Sequence, residues 1–245
     1  MWYEHRVPRR PRFTHRWLTA ATWPVGVTLT SWDYMWRTTA MHRREVAESE
    51  ADAHIPDRYP DAVDATEVQS VHDGVGPLFH RRYRIYIGDA QLEPEQLMQD
   101  LKRNLNKAAP TTFARFQRVL GDGDTLEAGD EYVVRMPGPW DGPVRVIEET
   151  PQAFRLATLE GHLEAGQIQF RACTADDGRL CFTIESWARS ADRLSDFLYH
   201  RIGMAKEVQL HMWISFLEGV GKLSRGKIVG GIDIDTRRVD DFATR

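Results

Sequence analysis

Two ionisable side chains in a short turn have the types and spacing of an acid–base pair. Residues 161–166 read Gly-His-Leu-Glu-Ala-Gly between two predicted strands, which brings His162 and Glu164 close together. A histidine beside a carboxylate is a common catalytic arrangement, so His162 could act as a base that Glu164 orients. The interpretation that we favour is structural: the glycines permit a positive φ, and the polar side chains cap a hairpin turn.

Glu185 is a third candidate for a catalytic group, because it interrupts the otherwise apolar predicted strand Leu180–Trp187. Side chains alternate along a strand, so Thr183, Glu185 and Trp187 share one face. If that face lines a cavity, Glu185 is a polar group in an apolar pocket, and burial would raise its pKa and make it a candidate acid. If the face is outside, Glu185 is an ordinary solvated residue, and the sequence does not decide between the two.

Other chemistries find no support in the sequence. His200 and His211 lie eleven residues apart on a predicted helix, about 16 Å along its axis, which is too far to share a metal ion. No set of His or Cys residues has zinc spacing, and no dinucleotide fingerprint occurs, so we predict neither a metal ion nor a cofactor. The net charge of −4 argues against nucleic acid as a partner, because phosphate binding requires a basic surface.

The candidate residues are positioned by a run of half-buried strands that ends in one long amphipathic helix. The predicted strands are Glu131–Met136, Val144–Glu148, Ala153–Leu159, Gln167–Cys173 and Leu180–Trp187. Short, turn-like connections between them predict an antiparallel meander. Apolar residues at spacings of three and four then predict a helix over Asp192–Leu223. The expected fold is α+β, a helix-grip arrangement in which the antiparallel sheet wraps around the long C-terminal helix.

This arrangement encloses a cavity more often than a catalytic cleft, which favours a small hydrophobic ligand as the partner. The residues predicted to line the cavity are Tyr132, Val134, Phe154, Leu156, Phe170, Trp187, Met204, Val208 and Met212. Trp140 lies in the proline- and glycine-rich loop 137–143 and could contact the ligand from a lid. We favour the alternative, in which the loop is a stiff hairpin connection with Trp140 packed beneath it.

The first 45 residues are predicted to form a separate arm that is rich in tryptophan and arginine. Five of the eight tryptophans lie there, and the apolar pattern predicts a helix kinked at Pro24. We expect the arm to pack on the domain or on a second copy of the chain, which would give a homodimer. The alternative is peripheral membrane contact through Trp17, Trp23, Trp32 and Trp36. A predicted acidic linker (46–77), main domain (78–225) and C-terminal tail (226–245) follow. The tail begins with a short apolar piece, and it could either add an edge strand or be disordered.

The cysteine content and the apolar stretches bear on localisation. Cys173 and Cys181 lie on neighbouring predicted strands, where a disulfide is geometrically possible. We favour two buried thiols in a reducing cytoplasm, because nothing in the sequence suggests secretion. No stretch reaches the ~20 apolar residues of a membrane helix. We therefore predict a cytoplasmic protein, with membrane association if the arm binds lipid.

Three stretches of the chain carry a resemblance to known proteins: Val144–Ile147, Phe154–Gly166 and Phe182–Arg189. The order of strand, helix, strand meander and closing helix resembles the START-like superfamily, which includes the birch-pollen allergen type, lipid-transfer domains and aromatic polyketide cyclases. Over about residues 75–222 the chain resembles, more narrowly, the uncharacterised family DUF1990, a domain of unknown function.

The resemblance implies a helix-grip fold and attaches no reaction to it. We expect a non-catalytic protein that binds a lipid, an isoprenoid or a polyketide-like molecule. One alternative is a cyclase- or hydrolase-like enzyme on the same scaffold that uses Glu185 or His162. The other is a structural protein that dimerises through its N-terminal arm.

Overall fold

The chain folds around a large sheet that a long helix crosses on one face. The computed structural model describes residues 39–47, 55–56, 66–110, 114–136, 141–192, 204–240 and 242, without the side chains of 204–208. In chain order its elements are β1 (Met41–Ala47), β2 (Val75–Gly88), α1 (Pro94–Arg103), β3 (Arg115–Leu120), β4 (Glu131–Arg135), β5 (Gly142–Thr150), β6 (Ala153–Thr158), β7 (Glu164–Thr174), β8 (Leu180–Ser190), α2 (Met204–Leu223) and β9 (Lys227–Val239).

The nine strands described lie in the order β1-β9-β2-β8-β7-β6-β5-β4-β3. Every neighbouring pair is antiparallel except β1 and β9, which are parallel. Strands joined by only a few residues must pair antiparallel, because a parallel pair needs a long crossover. The short turns between β4 and β8 therefore produce the predicted meander. A large, almost wholly antiparallel sheet with two helices agrees with the predicted α+β, helix-grip-like class.

The main apolar core lies between α2 and the face of the sheet that it crosses, here called the inner face. Phe170 is fully buried, and its ring centre lies 4.7 Å from that of Phe154 and 5.4 Å from that of Phe216 on α2. Gly219 allows α2 to approach closely, because a Cβ there would lie 2.3 Å from the carbonyl oxygen of Ala108. Deleting one such aromatic side chain costs about 3–5 kcal/mol, so these contacts hold α2 on the sheet.

The opposite face of the sheet, here called the outer face, is partly covered by the segment 66–74. The backbone N–H of Gln69 donates to the carbonyl of Thr158 at 2.8 Å, and the Gln69 carbonyl accepts from the N–H of Gly166 at 2.9 Å. A smaller apolar cluster on this face consists of Val71, Leu78, Trp187, Val239 and Phe242, with Ile55 packed against it. Some side chains of the outer face are therefore also shielded from water.

Helix α2 is not the last element of the fold, which corrects the predicted C-terminal helix. The predicted helix begins at Asp192, whereas α2 is described from Met204, and residues 193–203 lie outside the described part of the chain. After α2, the chain enters β9, which pairs with β2 on one side and β1 on the other. The alternating Ile232 and Ile234 of β9 are buried in the main core, and this burial explains why the segment continues the sheet.

Two strands, β1 and β9, form this end of the sheet. Strand β1 spans the expected boundary between arm and linker at residue 45, and β9 lies in the expected tail. Trp17, Trp23, Trp32, Trp36 and Trp140 lie outside the described residues, so their packing, dimer, lid and membrane roles stay predictions. None of the described helices is long and apolar enough to cross a membrane.

Candidate functional site

Most of the residues predicted to line a cavity lie together in the main core. The side chains of Tyr132, Val134, Phe154, Leu156, Phe170 and Met212 are all buried in the one cluster on the inner face. Trp187 is the exception, because it lies on the outer face with Val71 and Leu78. The side chains of Met204 and Val208 are outside the described residues. Six of the residues predicted to line a cavity therefore lie together on the inner face, and Trp187 lies apart from them on the outer face.

Trp213 is a residue of this core that the sequence indicated only as part of the apolar stripe of the helix. Its indole is 6% exposed and lies edge-on to Phe170, with ring centres 5.6 Å apart, and to Phe216 at 6.2 Å. The buried Nε1 has no hydrogen-bond partner among the described residues. Leaving a buried donor unsatisfied costs about 1–3 kcal/mol, so the core holds a polar group that the described side chains do not satisfy.

A partly buried polar cluster, formed by Arg81, Glu164 and Gln209, borders this core on the inner face. Gln209 lies one helical turn before Trp213 and donates its Nε2 to a carboxylate oxygen of Glu164 at 2.8 Å. An Arg81 guanidinium nitrogen donates to the Gln209 amide oxygen at 3.3 Å and lies 3.9 Å from the Glu164 carboxylate. Arg81 is almost completely buried. The positive charge of Arg81 is offset by the negative charge of Glu164. The cluster therefore forms a polar group of low net charge at one end of the apolar core.

The structure places His162 in the turn before β7, where its ring bonds to the backbone of Glu164. The Nδ1 accepts from the Glu164 N–H at 2.9 Å, whereas the Glu164 carboxylate bonds to Gln209. Burial lowers the pKa of His162 below its ordinary value, and the charge and backbone of Glu164 offset only part of this effect. His162 is therefore neutral near pH 7 and caps the turn through its ring. The Glu164 carboxylate was expected to cap the same turn and bonds instead to Gln209 on α2.

Glu185 lies on the outer face, away from the core that α2 covers. One carboxylate oxygen accepts hydrogen bonds from His80 Nε2 at 2.7 Å and from both Nε and a terminal nitrogen of Arg82, at 3.0 and 2.6 Å. Burial alone would raise the pKa of Glu185, but these hydrogen bonds outweigh it and hold the pKa below the ordinary value. The raised pKa expected for a cavity-facing Glu185 therefore does not occur. Glu185 is not an ordinary solvated residue either, because its side chain is 16% exposed and its carboxylate bonds to Arg82 and His80.

The described residues contain no group of three or more His, Cys, Asp or Glu side chains that could hold a metal ion. Cys173 and Cys181 face each other across β7 and β8 as free thiols. Burial raises the pKa of the Cys181 thiol, which makes it a poor nucleophile at neutral pH. The described side chains of the inner face offer hydrogen bonds and apolar contact to a bound molecule.

Comparison with known proteins gives one family match. A family model described as Domain of unknown function (DUF1990) matches residues 61–213, and no curated protein matches the chain. Norcoclaurine synthase from Thalictrum flavum, in complex with dopamine and hydroxybenzaldehyde, is similar in structure at 11% identity, 68% coverage of this chain, 95% coverage of its own and a TM-score of 0.44.

Two other solved structures are similar at the same level. A hypothetical protein from Helicobacter pylori is 14% identical and covers 69% of this chain and 95% of its own, with a TM-score of 0.43. The di-domain ARO/CYC StfQ from the steffimycin biosynthetic pathway is 8% identical and covers 63% of this chain and 52% of its own, with a TM-score of 0.42.

Proposed function

The chain belongs to the DUF1990 family, a domain of unknown function, and we propose from the geometry of its inner face that it binds one small, largely apolar molecule. The molecule lies between the inner face of the sheet and α2, and it accepts a hydrogen bond from the indole N–H of Trp213. The polar cluster of Arg81, Glu164 and Gln209 contacts the end of the molecule that carries its polar group.

The observation that carries this proposal is the unsatisfied N–H of Trp213. Tryptophan is commonly used in binding sites because one end of its ring is apolar and the other can donate a hydrogen bond. Here the ring contacts Phe170 and Phe216, while the buried Nε1 has no acceptor among the described residues. An unsatisfied buried N–H costs about 1–3 kcal/mol, and a ligand oxygen that accepts its hydrogen bond would remove this cost. The free energy gained in this way adds to that of the apolar contacts between ligand and core.

The spacing along α2 narrows the chemistry of the ligand. Gln209 and Trp213 are four residues apart, which places their side chains on one face and about 6 Å apart along the helix axis. The ligand therefore carries an acceptor oxygen within its apolar body, about one helical turn from its polar end. Oxygenated lipids, isoprenoids and polyketide-like ring systems meet this requirement, whereas an unoxygenated hydrocarbon chain does not.

Native mass spectrometry of the protein purified from its own host tests the proposal. We expect a stoichiometric small-molecule adduct on the wild-type chain. The Trp213→Phe variant should bind the released molecule about tenfold more weakly, because it lacks one hydrogen bond while keeping an aromatic ring.

A matched control is Ile214→Val on the same helix. Ile214 is also fully buried in the main core, so this variant perturbs packing without removing a hydrogen-bond donor. It should keep the adduct at the wild-type level. Equal binding by Trp213→Phe and the wild type would contradict the role of the indole, and an adduct-free wild type would contradict the proposal as a whole.

A further inference from the structure

A second group of unsatisfied polar atoms lies on the outer face, across the sheet from the proposed ligand. His80, Trp187 and Gln167 are direct cross-strand neighbours on β2, β8 and β7. Each side chain is more than nine-tenths buried. The His80 Nδ1, the Trp187 Nε1 and the Gln167 Oε1 all lack a hydrogen-bond partner among the described residues. Three such atoms in one row are unusual, because buried polar groups are nearly always paired.

The hydrogen-bonding character of each atom follows from its partners. The Glu185 carboxylate is an acceptor because its pKa is held low, so His80 Nε2, at 2.7 Å, must carry the proton that it donates. The His80 Nδ1 is an acceptor when the imidazole is neutral and a donor when it is protonated. Trp187 Nε1–H is a donor, and Gln167 Oε1 is an acceptor because the Nε2 of the same amide points to the carbonyl of Pro56 at 3.5 Å. The row therefore offers one donor and one acceptor of fixed character, with the His80 Nδ1 beside them.

From this pattern we infer that the outer face holds a second binding site, which takes a small neutral molecule with a primary carboxamide group. A carboxamide has one acceptor oxygen and two N–H donors, so it satisfies Trp187 through its oxygen and Gln167 through one N–H, and its second N–H can bond to the His80 Nδ1 of a neutral imidazole. The rings of His80 and Trp187 are stacked, with their centres 5.1 Å apart and their planes at 15°. This stacking fixes the positions of two of the three atoms. The site lies beneath Ile55 and Pro56, which favours a small molecule over a side chain of a macromolecule.

The test is a titration of the full, ¹⁵N-labelled chain with acetamide, followed through the indole N–H resonances. The Trp187 resonance is assigned by its loss in Trp187→Phe. We expect acetamide to shift this resonance saturably. N,N-Dimethylacetamide, which keeps the acceptor oxygen and lacks both N–H donors, should produce no saturable shift.

Two variants on β7 sharpen the test. Gln167→Leu should weaken acetamide binding about tenfold, because it removes one acceptor. Gln169→Leu, two residues along the same face and opposite Glu185, should leave the titration unchanged. An absent saturable shift would overturn the inference, and so would equal shifts with both amides. A bound water whose contact with the Trp187 N–H persists at saturating acetamide would also overturn it, because one water can satisfy the same three atoms.

Discussion

Replacing Glu185 by glutamine should destabilise the protein at neutral pH and have little effect in acid. The change keeps the size of the side chain but removes the charge that His80 and Arg82 share. The pKa of Glu185 is held below its ordinary value in the folded protein. A carboxyl group of this kind stabilises the fold at pH values above its unfolded pKa. This contribution is lost as the pH falls through the folded pKa, which here lies below the ordinary glutamate value.

The expected magnitude follows from the contacts and the exposure of the partners. Hydrogen bonds to a charged group contribute about 1.5–3 kcal/mol each to stability. The side chain of Glu185 is 16% exposed and that of Arg82 is 34% exposed, so solvent screening reduces the contribution of the Arg82 pair. We therefore expect Glu185→Gln to lower the free energy of unfolding by about 2 kcal/mol at pH 7.

Urea denaturation of the wild type and Glu185→Gln at pH 7, 5 and 3 measures this effect. The difference in unfolding free energy between the two proteins should be about 2 kcal/mol at pH 7. It should persist at pH 5 and be smaller at pH 3. Glu148→Gln is the matched control, because Glu148 pairs with Arg155 at 2.6 Å but is 39% exposed, and it should cost less than about 1 kcal/mol at every pH. A difference for Glu185→Gln that is absent at pH 7 or equal at all three values would refute the reasoning.

Two other residues give sharp predictions by the same denaturation assay. Because the folded pKa of His162 is lowered, wild-type stability should fall as the pH drops below about 6.5, where the unfolded chain takes up the proton first. His162→Asn keeps an acceptor for the turn and should lose less stability between pH 8 and pH 5; an unchanged pH profile would count against burial of the ring. Gly219→Ala should cost about 1–3 kcal/mol, because its Cβ meets the carbonyl oxygen of Ala108 at 2.3 Å. Gly221→Ala meets only the flexible side chain of Ile228 at 3.1 Å and should be close to neutral, so equal costs for the two glycines would contradict the close approach of α2 to Ala108.

The strand meander was predictable because its information is local. Strands β4 to β8 are short segments rich in apolar residues and are joined by short turns, and both properties are visible in a short window of sequence. Strand β1 reads Met-His-Arg-Arg-Glu-Val-Ala and has no apolar alternation. It is held by parallel pairing with β9, nearly two hundred residues away in the chain, so no local pattern could reveal it. Strand β9 was visible only as a short apolar piece after the helix.

The candidate site was less predictable because its properties depend on contacts between distant segments. Alternation along β8 correctly grouped Glu185 with Trp187, but only the position of α2 decides which face of the sheet is the inner one. The partner that keeps Glu185 ionised, Arg82, lies on β2, 103 residues away. Trp213 fitted the apolar stripe of its helix, and nothing in the sequence shows that its indole N–H has no acceptor within the described part of the chain.

The central claim is that a ligand oxygen accepts the hydrogen bond of Trp213, and a crystal structure of the protein with the molecule released from its host preparation tests it most directly. The account predicts that the molecule lies between α2 and the inner face, with an acceptor atom about 2.7–3.2 Å from the Trp213 Nε1. The polar end of the molecule should contact the cluster of Arg81, Glu164 and Gln209. A molecule bound elsewhere, or one that leaves the Trp213 N–H without an acceptor, would contradict the account.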